Sequence, residues 1–162
     1  TILNDPVQVR IAPAKATTDL IEQAVYFVPQ QNKVQLLVHF ASSRRDERTI
    51  VFTRTKHGAD RVTKNLSIDG HEAAAIHGNK SQNNRQAALD AFKERRRRVL
   101  VATDIASRGL DIDEVSHVFN LDLPMEPEAY VHRIGRTARA GHEGIAVAFC
   151  ISALMLNSLP IT

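Results

Sequence analysis

The chain has 162 residues, of which 43% are hydrophobic and 24% are charged; this composition is typical of one globular domain and excludes a disordered tail. No stretch of 18 apolar residues is present, which excludes a membrane-spanning helix, and the single cysteine, Cys150, excludes an internal disulfide. The net charge is only +3, but 15 arginines stand against 6 lysines, and the planar arginine fork favours phosphate-bearing partners.

Short runs of β-branched residues alternate with helical patterns along the chain. Strands are predicted over residues 24–28, 49–53, 73–77, 99–103, 117–120 and 145–149, and helices over residues 33–41, 57–66, 81–94 and 126–134. Ser81 is the predicted N-cap of the third helix, and Glu128 lies early in the fourth. The strands are almost continuously apolar, which is typical of strands covered on both faces. The sequence therefore predicts an α/β fold with a doubly wound, mainly parallel sheet flanked by helices.

The two ends of the chain differ from this pattern. Residues 1–18, which include Pro6 and Pro13, are predicted to form an extended lead-in from an upstream segment, and residues 19–150 to form the domain. Residues 151–162 contain no charged side chain and form an atypical apolar tail. No secretory signal is recognisable, so we expect a cytoplasmic location. The histidines lack the spacing of zinc sites, so we expect no metal held by this chain alone.

A polar loop follows the fourth predicted strand. Thr103 and Asp104 stand at the strand end, and Gly109 and Asp111 follow a turn of small residues. Ligands of open parallel sheets bind beyond the carboxyl ends of the strands, so this loop is a candidate site. Asp104 could instead cap a short helix that Gly109 ends, and composition alone gives the two interpretations equal weight. Asp111 lies where a carboxylate can accept hydrogen bonds from a ribose.

The segment 132–141 carries three arginines at intervals of three residues. On a continuous helix, Arg133, Arg136 and Arg139 would form one cationic ridge, with His132 one turn from Arg136. Glu128 is the only carboxylate close upstream, so the ridge is predicted to bind an anion from outside the segment. A solvated basic face is the alternative, but small residues interleave where a solvated helix would carry glutamate.

Two further segments are weaker candidates. The third strand ends in a glycine turn at Gly78 and a helix start rich in amides, which suits phosphate but is also ordinary turn chemistry. Four consecutive arginines, at 95–98, come near the end of that helix. They could contact nucleic acid, although the sequence favours cations stabilised by the helix C-terminal dipole.

The phosphate-binding motifs of complete nucleotide sites are absent from the sequence. It contains no G-x-x-x-x-G-K-[ST], no G-x-G-x-x-G and no D-E-x-D. The chain thus has arginines suited to the outer phosphates of a nucleotide but neither a phosphate cradle nor an acidic pair for magnesium. A triphosphate site completed by another domain would reconcile the two observations.

Taken in order, these segments resemble the second RecA-like domain of DEAD-box RNA helicases, and within that family the bacterial RhlE-type subgroup. Residues 50–56 (Ile-Val-Phe-Thr-Arg-Thr-Lys) resemble motif IV, Gln82 and Arg85 the Q-x-x-R element, residues 101–111 motif V and residues 132–139 motif VI. The resemblance extends from about residue 5 to residue 150. It implies a RecA-like helicase fold and an upstream RecA-like domain that carries the phosphate loop and the D-E-A-D carboxylates.

The resemblance also implies roles for individual positions. Arg136 and Arg139 match the catalytic arginine fingers that reach the γ-phosphate of ATP, and Gly109 and Asp111 match further ATP-binding positions, with Asp111 at the ribose. The RNA-binding positions of the family are matched by Arg54, Gly78, Arg85 and Thr103. Interdomain or coupling positions are matched by Gln82, Arg108, His132 and Arg133, with Gln82 and His132 forming a pair.

The implied function is that of half an ATP-dependent RNA helicase. We expect ATP with Mg²⁺ as the cofactor, the metal being held by the upstream domain, and RNA and that domain as partners. The chain alone is expected to hydrolyse no ATP. The alternative is a non-catalytic RNA-binding module; a dinucleotide-dependent oxidoreductase is disfavoured because no glycine-rich turn follows the first strand.

Two features depart from the family pattern. Ala138 replaces a glycine in motif VI, and we expect this methyl group to be tolerated because it would lie on a helix. The tail, residues 151–162, stands where family members continue with a charged amphipathic helix, and its exposed apolar residues would favour self-association.

Overall fold

The computed structural model describes residues 20–138 and 142–151. In chain order the elements are β1 (Ile21–Phe27), a 3-10 turn (Gln30–Asn32), α1 (Lys33–Ser42), β2 (Thr49–Phe52), α2 (Lys56–Ile68), β3 (Ala73–Ile76), α3 (Gln82–Lys93), β4 (Val99–Ala102), α4 (Asp104–Ser107), β5 (His117–Asn120), α5 (Pro127–Ile134) and β6 (Gly144–Cys150). Every predicted strand and helix is present. The short helix α4, one of the two alternatives for its loop, and the 3-10 turn complete the set.

The six strands form one sheet in the order β1-β6-β5-β2-β4-β3, and all of its neighbouring pairs are parallel. The predicted α/β class is therefore confirmed, with a sheet that is parallel throughout. β2, β4 and β5 are buried at every position, which is why their sequences are continuously apolar rather than alternating.

Helices cover both faces of the sheet. On one face, Leu37 of α1 and Leu66 of α2 pack with Val101 and Phe119 in one core cluster. On the other face, a second cluster unites residues of α3 with the segment that leads into β5, and a third cluster packs α5 against β1 and β6. Burial of these apolar surfaces supplies the main stabilisation of the fold.

Side-chain caps fix the starts of two helices. The hydroxyl of Ser81 accepts a hydrogen bond from the Asn84 amide at 3.2 Å, which confirms the predicted cap of α3. The hydroxyl of Thr55 accepts one from the Gly58 amide at 3.0 Å and caps α2 in the same way. Both helices therefore start directly beyond the carboxyl ends of strands, where the candidate site residues lie.

The predicted lead-in lies outside the described residues, and so does the predicted apolar tail apart from its first residue, Ile151, so both remain predictions. Within residues 20–138 and 142–151, no helix has the length and apolar character needed to cross a bilayer.

Candidate functional site

Three of the predicted RNA-binding residues lie in a row along the carboxyl edge of the sheet. Arg54, Thr103 and Gly78 follow the neighbouring strands β2, β4 and β3. Backbone hydrogen bonds extend the sheet into this edge, since the Thr53 amide donates to the Ala102 carbonyl at 3.0 Å and the Thr103 amide to the Ile76 carbonyl at 3.3 Å. The edge therefore presents a continuous polar strip.

The turn that contains Gly78 is held by side chains of α2. Nε2 of the buried His77 lies 2.9 Å from Oδ1 of Asp60, and Nζ of Lys80 lies 3.0 Å from the same oxygen. The close approach of the His77 ring is the largest of the effects that lower the pKa of Asp60. Lys56 adds a hydrogen bond of 3.2 Å from its ammonium to Oδ1 of Asn79. No local sequence pattern signals this clamp, because its partners belong to different elements.

A pocket of about 370 Å³ opens between the loop after β4 and helix α5. The residues that line it are Phe52, Asp104, Ser107, Arg108, Gly109, Ala129, His132, Arg133 and Arg136. Gly109 adopts a φ of 73°, a left-handed conformation that disfavours any residue with a Cβ, so glycine lets the loop turn sharply after α4. The structure thus brings together five of the predicted site residues: Gly109, Arg108, His132, Arg133 and Arg136.

Arg133 is buried, with 2% of its surface exposed, and is engaged inside the fold. Its Nε and Nη2 donate to the two carboxylate oxygens of Asp104 at 2.6 and 2.7 Å. Its Nη1 donates to Oδ1 of Asn120 at 3.0 Å and to the Asp122 carbonyl at 2.6 Å, and its guanidinium lies 4.9 Å from the centre of the Phe52 ring. Arg133 thereby joins the ends of three strands.

The predicted cationic ridge is wrong. Helix α5 ends at Ile134, so Arg136 lies beyond it, and Arg133 faces the interior. The sequence predicted that the ridge binds an anion from outside the segment. For Arg133 this anion is the carboxylate of Asp104, which lies 29 residues upstream in the same chain. Asp104 is the first residue of the short helix α4, which agrees with the alternative interpretation of its loop. Its carboxylate does not cap the helix but binds Arg133, and the N-cap residue, Thr103, forms no side-chain cap either.

Arg136 occupies the turn after α5 and faces the pocket. Its Nη1 donates to the Leu110 carbonyl at 3.1 Å and lies 3.9 Å from Oδ1 of Asp113. The Arg136 carbonyl accepts a hydrogen bond from the Val115 amide at 3.3 Å, and the buried hydroxyl of Thr137 donates to the Val115 carbonyl. The backbone of the turn is therefore fixed on both sides of Arg136.

Gly144 allows this turn to approach the sheet. A Cβ at Gly144 would lie 2.1 Å from Oγ1 of Thr137 and 2.8 Å from the Ala138 amide nitrogen, so only glycine fits at this strand position. The second predicted arginine finger, Arg139, lies outside the described residues, and its role remains a prediction.

Ala138 does not lie on a helix, so the reason given for its tolerance is wrong. It is buried four residues after the end of α5 and adopts a φ of 55°. In this conformation the Cβ of a non-glycine residue is strained.

Other predicted site residues lie apart from the pocket. Asp111 is exposed and pairs with Lys93 of α3, whose Nζ lies 2.9 Å from its Oδ2. Arg85 donates from Nη2 to the Ala106 carbonyl at 3.0 Å and from Nη1 to Oε1 of Gln82 at 3.4 Å. Gln82 thus contacts Arg85, and no hydrogen bond joins the described side chains of Gln82 and His132.

Lys33 and Asp122 contact the residues that follow β5 and β2 at the carboxyl edge. Nζ of the buried Lys33 donates to the Leu121 carbonyl at 2.8 Å and lies 3.7 Å from Oδ1 of Asp122. Burial lowers the pKa of Lys33, while the charge of Asp122 opposes that shift. Oδ2 of Asp122 accepts a hydrogen bond from the Arg54 amide at 3.0 Å. Nothing in the sequence signals this set, because its members lie on three separate segments.

Comparison with known proteins identifies the family. The model of the helicase conserved C-terminal domain matches residues 32–141, which contain the pocket and the polar edge. The chain belongs to this family. It is also 42% identical over 155 residues to the ATP-dependent RNA helicase RhlB of Shewanella sp. (strain MR-4), covering 96% of this chain. It is 43% identical over 146 residues to the DEAD-box ATP-dependent RNA helicase RhpA of Helicobacter pylori (strain B128), covering 90% of this chain.

The domain resembles solved DEAD-box domains in structure as well. It matches the C-terminal domain of the DEAD-box protein Dbp5 with a TM-score of 0.79 and 32% identity, covering 87% of this chain and 82% of that one. These findings confirm the RecA-like, DEAD-box assignment, whereas the RhlE-type subgroup stays a prediction. The chain spans about a third of the length of these curated relatives, 35% of RhlB and 30% of RhpA.

Proposed function

We propose that this domain is the finger-bearing half of an ATP-dependent DEAD-box RNA helicase. In this proposal Arg136, together with Arg139, stabilises negative charge on the γ-phosphate, and the carboxyl edge binds an RNA strand. Binding of ATP and RNA closes the two RecA-like domains, closure locally unwinds or remodels RNA, and hydrolysis with phosphate release reopens the cleft.

The observation that carries the proposal is the contrast between Arg136 and its neighbour on α5. Arg133 uses four hydrogen bonds on partners inside the fold. Arg136 is also held in place, but among the described residues only by the Leu110 carbonyl, which accepts from Nη1 at 3.1 Å, and by the Asp113 carboxylate, whose Oδ1 lies 3.9 Å from the same nitrogen. It is thus an oriented cation with donors facing a pocket, which is the arrangement that transition-state stabilisation of a phosphoryl group requires.

RNA binding is supported by the geometry of the edge. Arg54 and Thr103 offer a guanidinium and a hydroxyl, and Gly78, at which a Cβ would meet nothing within 4 Å, leaves its turn open to a ligand. Arg85 is positioned beside this edge by the Ala106 carbonyl. Such groups suit contacts to phosphates and sugar hydroxyls rather than to base edges, so we expect RNA binding with little sequence preference.

The nucleotide is proposed to lie between this pocket and the upstream domain. Gly109 and Arg136 would contact the nucleotide from this side. Asp111 would bind the ribose after its ion pair with Lys93 is broken. Mg²⁺ would be held by the carboxylates of the upstream domain. Within the described ranges, no group of three or more His, Cys, Asp or Glu side chains is arranged to hold a metal ion.

RNA-stimulated ATP hydrolysis tests the proposal directly. The chain alone is to be compared with the same chain joined to its natural upstream half, each with and without a single-stranded RNA. We expect turnover only in the joined protein with RNA present. Absence of turnover in both forms, with RNA binding retained, would favour the non-catalytic RNA-binding module instead.

A further inference from the structure

Three arginines of the loop between α3 and β4 are used neither by the fold nor by the proposed site, whereas Arg98 donates to the Asp46 carbonyl at 2.9 Å. Helix α3 ends at Lys93, and Arg95, Arg96 and Arg97 lie beyond it as exposed side chains. Only Lys93 is in the last helical turn, and the dipole favours the arginines that follow it less strongly because its effect falls off around that turn. Arg95 and Arg97 have no side-chain partner among the described residues, and Arg96 pairs only with the exposed Glu94.

A fourth arginine joins this group from the loop before β2. Arg48 stacks on the Phe92 ring, with its guanidinium 4.5 Å from the ring centre, and its buried Nε has no hydrogen-bond partner. Burial lowers the pKa of Arg48, the nearby charge of Arg95 lowers it further, and Glu114 opposes the shift. We call Arg48, Arg95, Arg96 and Arg97 the arginine surface.

The conformation of Arg95 shows that an arginine is held at a position suited to glycine. Its φ of 61° lies in the left-handed region, where a Cβ is strained. The backbone there is fixed by hydrogen bonds from the Arg95 amide to the Phe92 carbonyl and from the Arg97 amide to the Ala91 carbonyl. Local backbone preference therefore does not explain this arginine.

The arginine surface lies on the edge of the sheet opposite the proposed site. The Thr49 amide donates to the Arg98 carbonyl and the Ser116 amide to the Arg48 carbonyl, so both loops sit at the amino ends of strands. The four-residue strands β2 and β4 separate the two edges by about 13 Å. A ligand at the arginine surface is thus outside the pocket.

We propose that the arginine surface binds the phosphate backbone of RNA that extends beyond the strand held at the carboxyl edge. This inference rests on the proposed function. Arginine forks match phosphate oxygens, and backbone contacts need cations but no apolar anchor. Protein interfaces, by contrast, are built around buried apolar or aromatic side chains. The exposed large apolar side chains of the described residues all lie outside loops 43–48 and 94–98.

The test uses the two-domain protein and a double substitution, Arg95→Gly with Arg97→Gln. Glycine suits the φ of residue 95, so we expect the melting temperature not to fall, and any loss of binding reports on charge. The matched control is Arg61→Gln with Lys64→Gln, which removes the same charge from exposed positions of α2. Fluorescence anisotropy measures affinity for a duplex-containing RNA of about 30 nucleotides and for a single strand of about 8.

We expect the R95G/R97Q variant to bind the long RNA about 5-fold more weakly. The slope of log Kd against log salt concentration should decrease by about 1 to 2, because fewer phosphate contacts release fewer counterions. Affinity for the short RNA and RNA-stimulated ATP hydrolysis are expected to match those of the control. Equal long-RNA affinity in variant and control would overturn the inference and leave the proposed function intact. If the R95G/R97Q variant kept its RNA affinity but lost binding to poly-glutamate, the inference would be overturned and the partner of the arginine surface would be an acidic polypeptide. A parent protein that binds neither RNA would overturn both proposals.

Discussion

Arg133 and Arg136 belong to one short segment, yet the fold uses them in opposite ways. Arg133, on the last turn of α5, is buried against Asp104, Asn120 and the Phe52 ring. Arg136, three residues later in a turn, is held at one end and faces a pocket. The difference teaches that an arginine-rich motif combines a cation that the fold engages with one that faces a pocket, and that the end of the helix separates them.

The largest expected effect concerns the arginine that faces the pocket. Arg136→Ala in the two-domain protein should lower kcat for RNA-stimulated ATP hydrolysis by about 10³-fold, because the transition state loses a positioned cation. RNA affinity without nucleotide should stay near that of the parent, and so should the melting temperature. Arg61→Ala, on the exposed face of α2, is the matched control. Equal loss of turnover and of RNA binding would contradict the finger assignment.

The buried arginine should behave in the opposite way. Arg133→Met keeps much of the side-chain volume but leaves Asp104 without its partner, so the free energy of unfolding should fall by about 3 kcal/mol. Urea denaturation of the chain measures this change. A second substitution, Asp104→Asn, should recover part of the loss because it removes the uncompensated carboxylate. A loss under about 0.5 kcal/mol, the range of ordinary surface changes, would show that Arg133 does not support the fold.

A substitution in the turn beyond Arg136 should change the free energy of unfolding by a smaller amount and should raise it. Ala138 adopts a φ of 55°, so Ala138→Gly should relieve backbone strain and raise the free energy of unfolding by about 1 kcal/mol. Thermal denaturation checks the change, and Ala59→Gly, inside α2, is the control that should destabilise instead. If Ala138→Gly also destabilised the chain, burial of the methyl group would outweigh the strain at this position.

The smallest expected effect is the dependence of folding stability on pH that the buried His71 and His117 cause. Burial lowers the pKa of both His71 and His117 below the ordinary value of about 6.5. The unfolded chain therefore takes up protons that the folded chain does not, and stability should decline as the pH falls from 7 through 6.5 towards the folded pKa values. His117→Gln should flatten this slope in denaturation curves, whereas the exposed His57→Gln should leave it unchanged. An unaltered slope in the His117 variant would exclude this imidazole as its source.

Local patterns predicted the elements well, since a buried parallel strand and a capped helix both have local signatures. Ser81 capped α3 as expected, and the continuous apolar runs correctly indicated strands covered on both faces. The failure of the predicted ridge at Arg133 and Arg136 has a physical cause. The three-residue spacing was extended through Gly135, where the helix ends, so side chains assigned to one face lie in different environments.

The amino-acid sequence by itself determined the alternation of strands and helices, the parallel α/β class and the motif order that indicates the helicase family, because each depends on residues close together in the chain. Only the tertiary structure decided which polar side chains are engaged inside the fold. The partners of Arg133, Lys33 and His77 come from other elements, and the parallel sheet brings them together by aligning the carboxyl ends of strands. Such pairings depend on sheet order and packing, which no local spacing encodes.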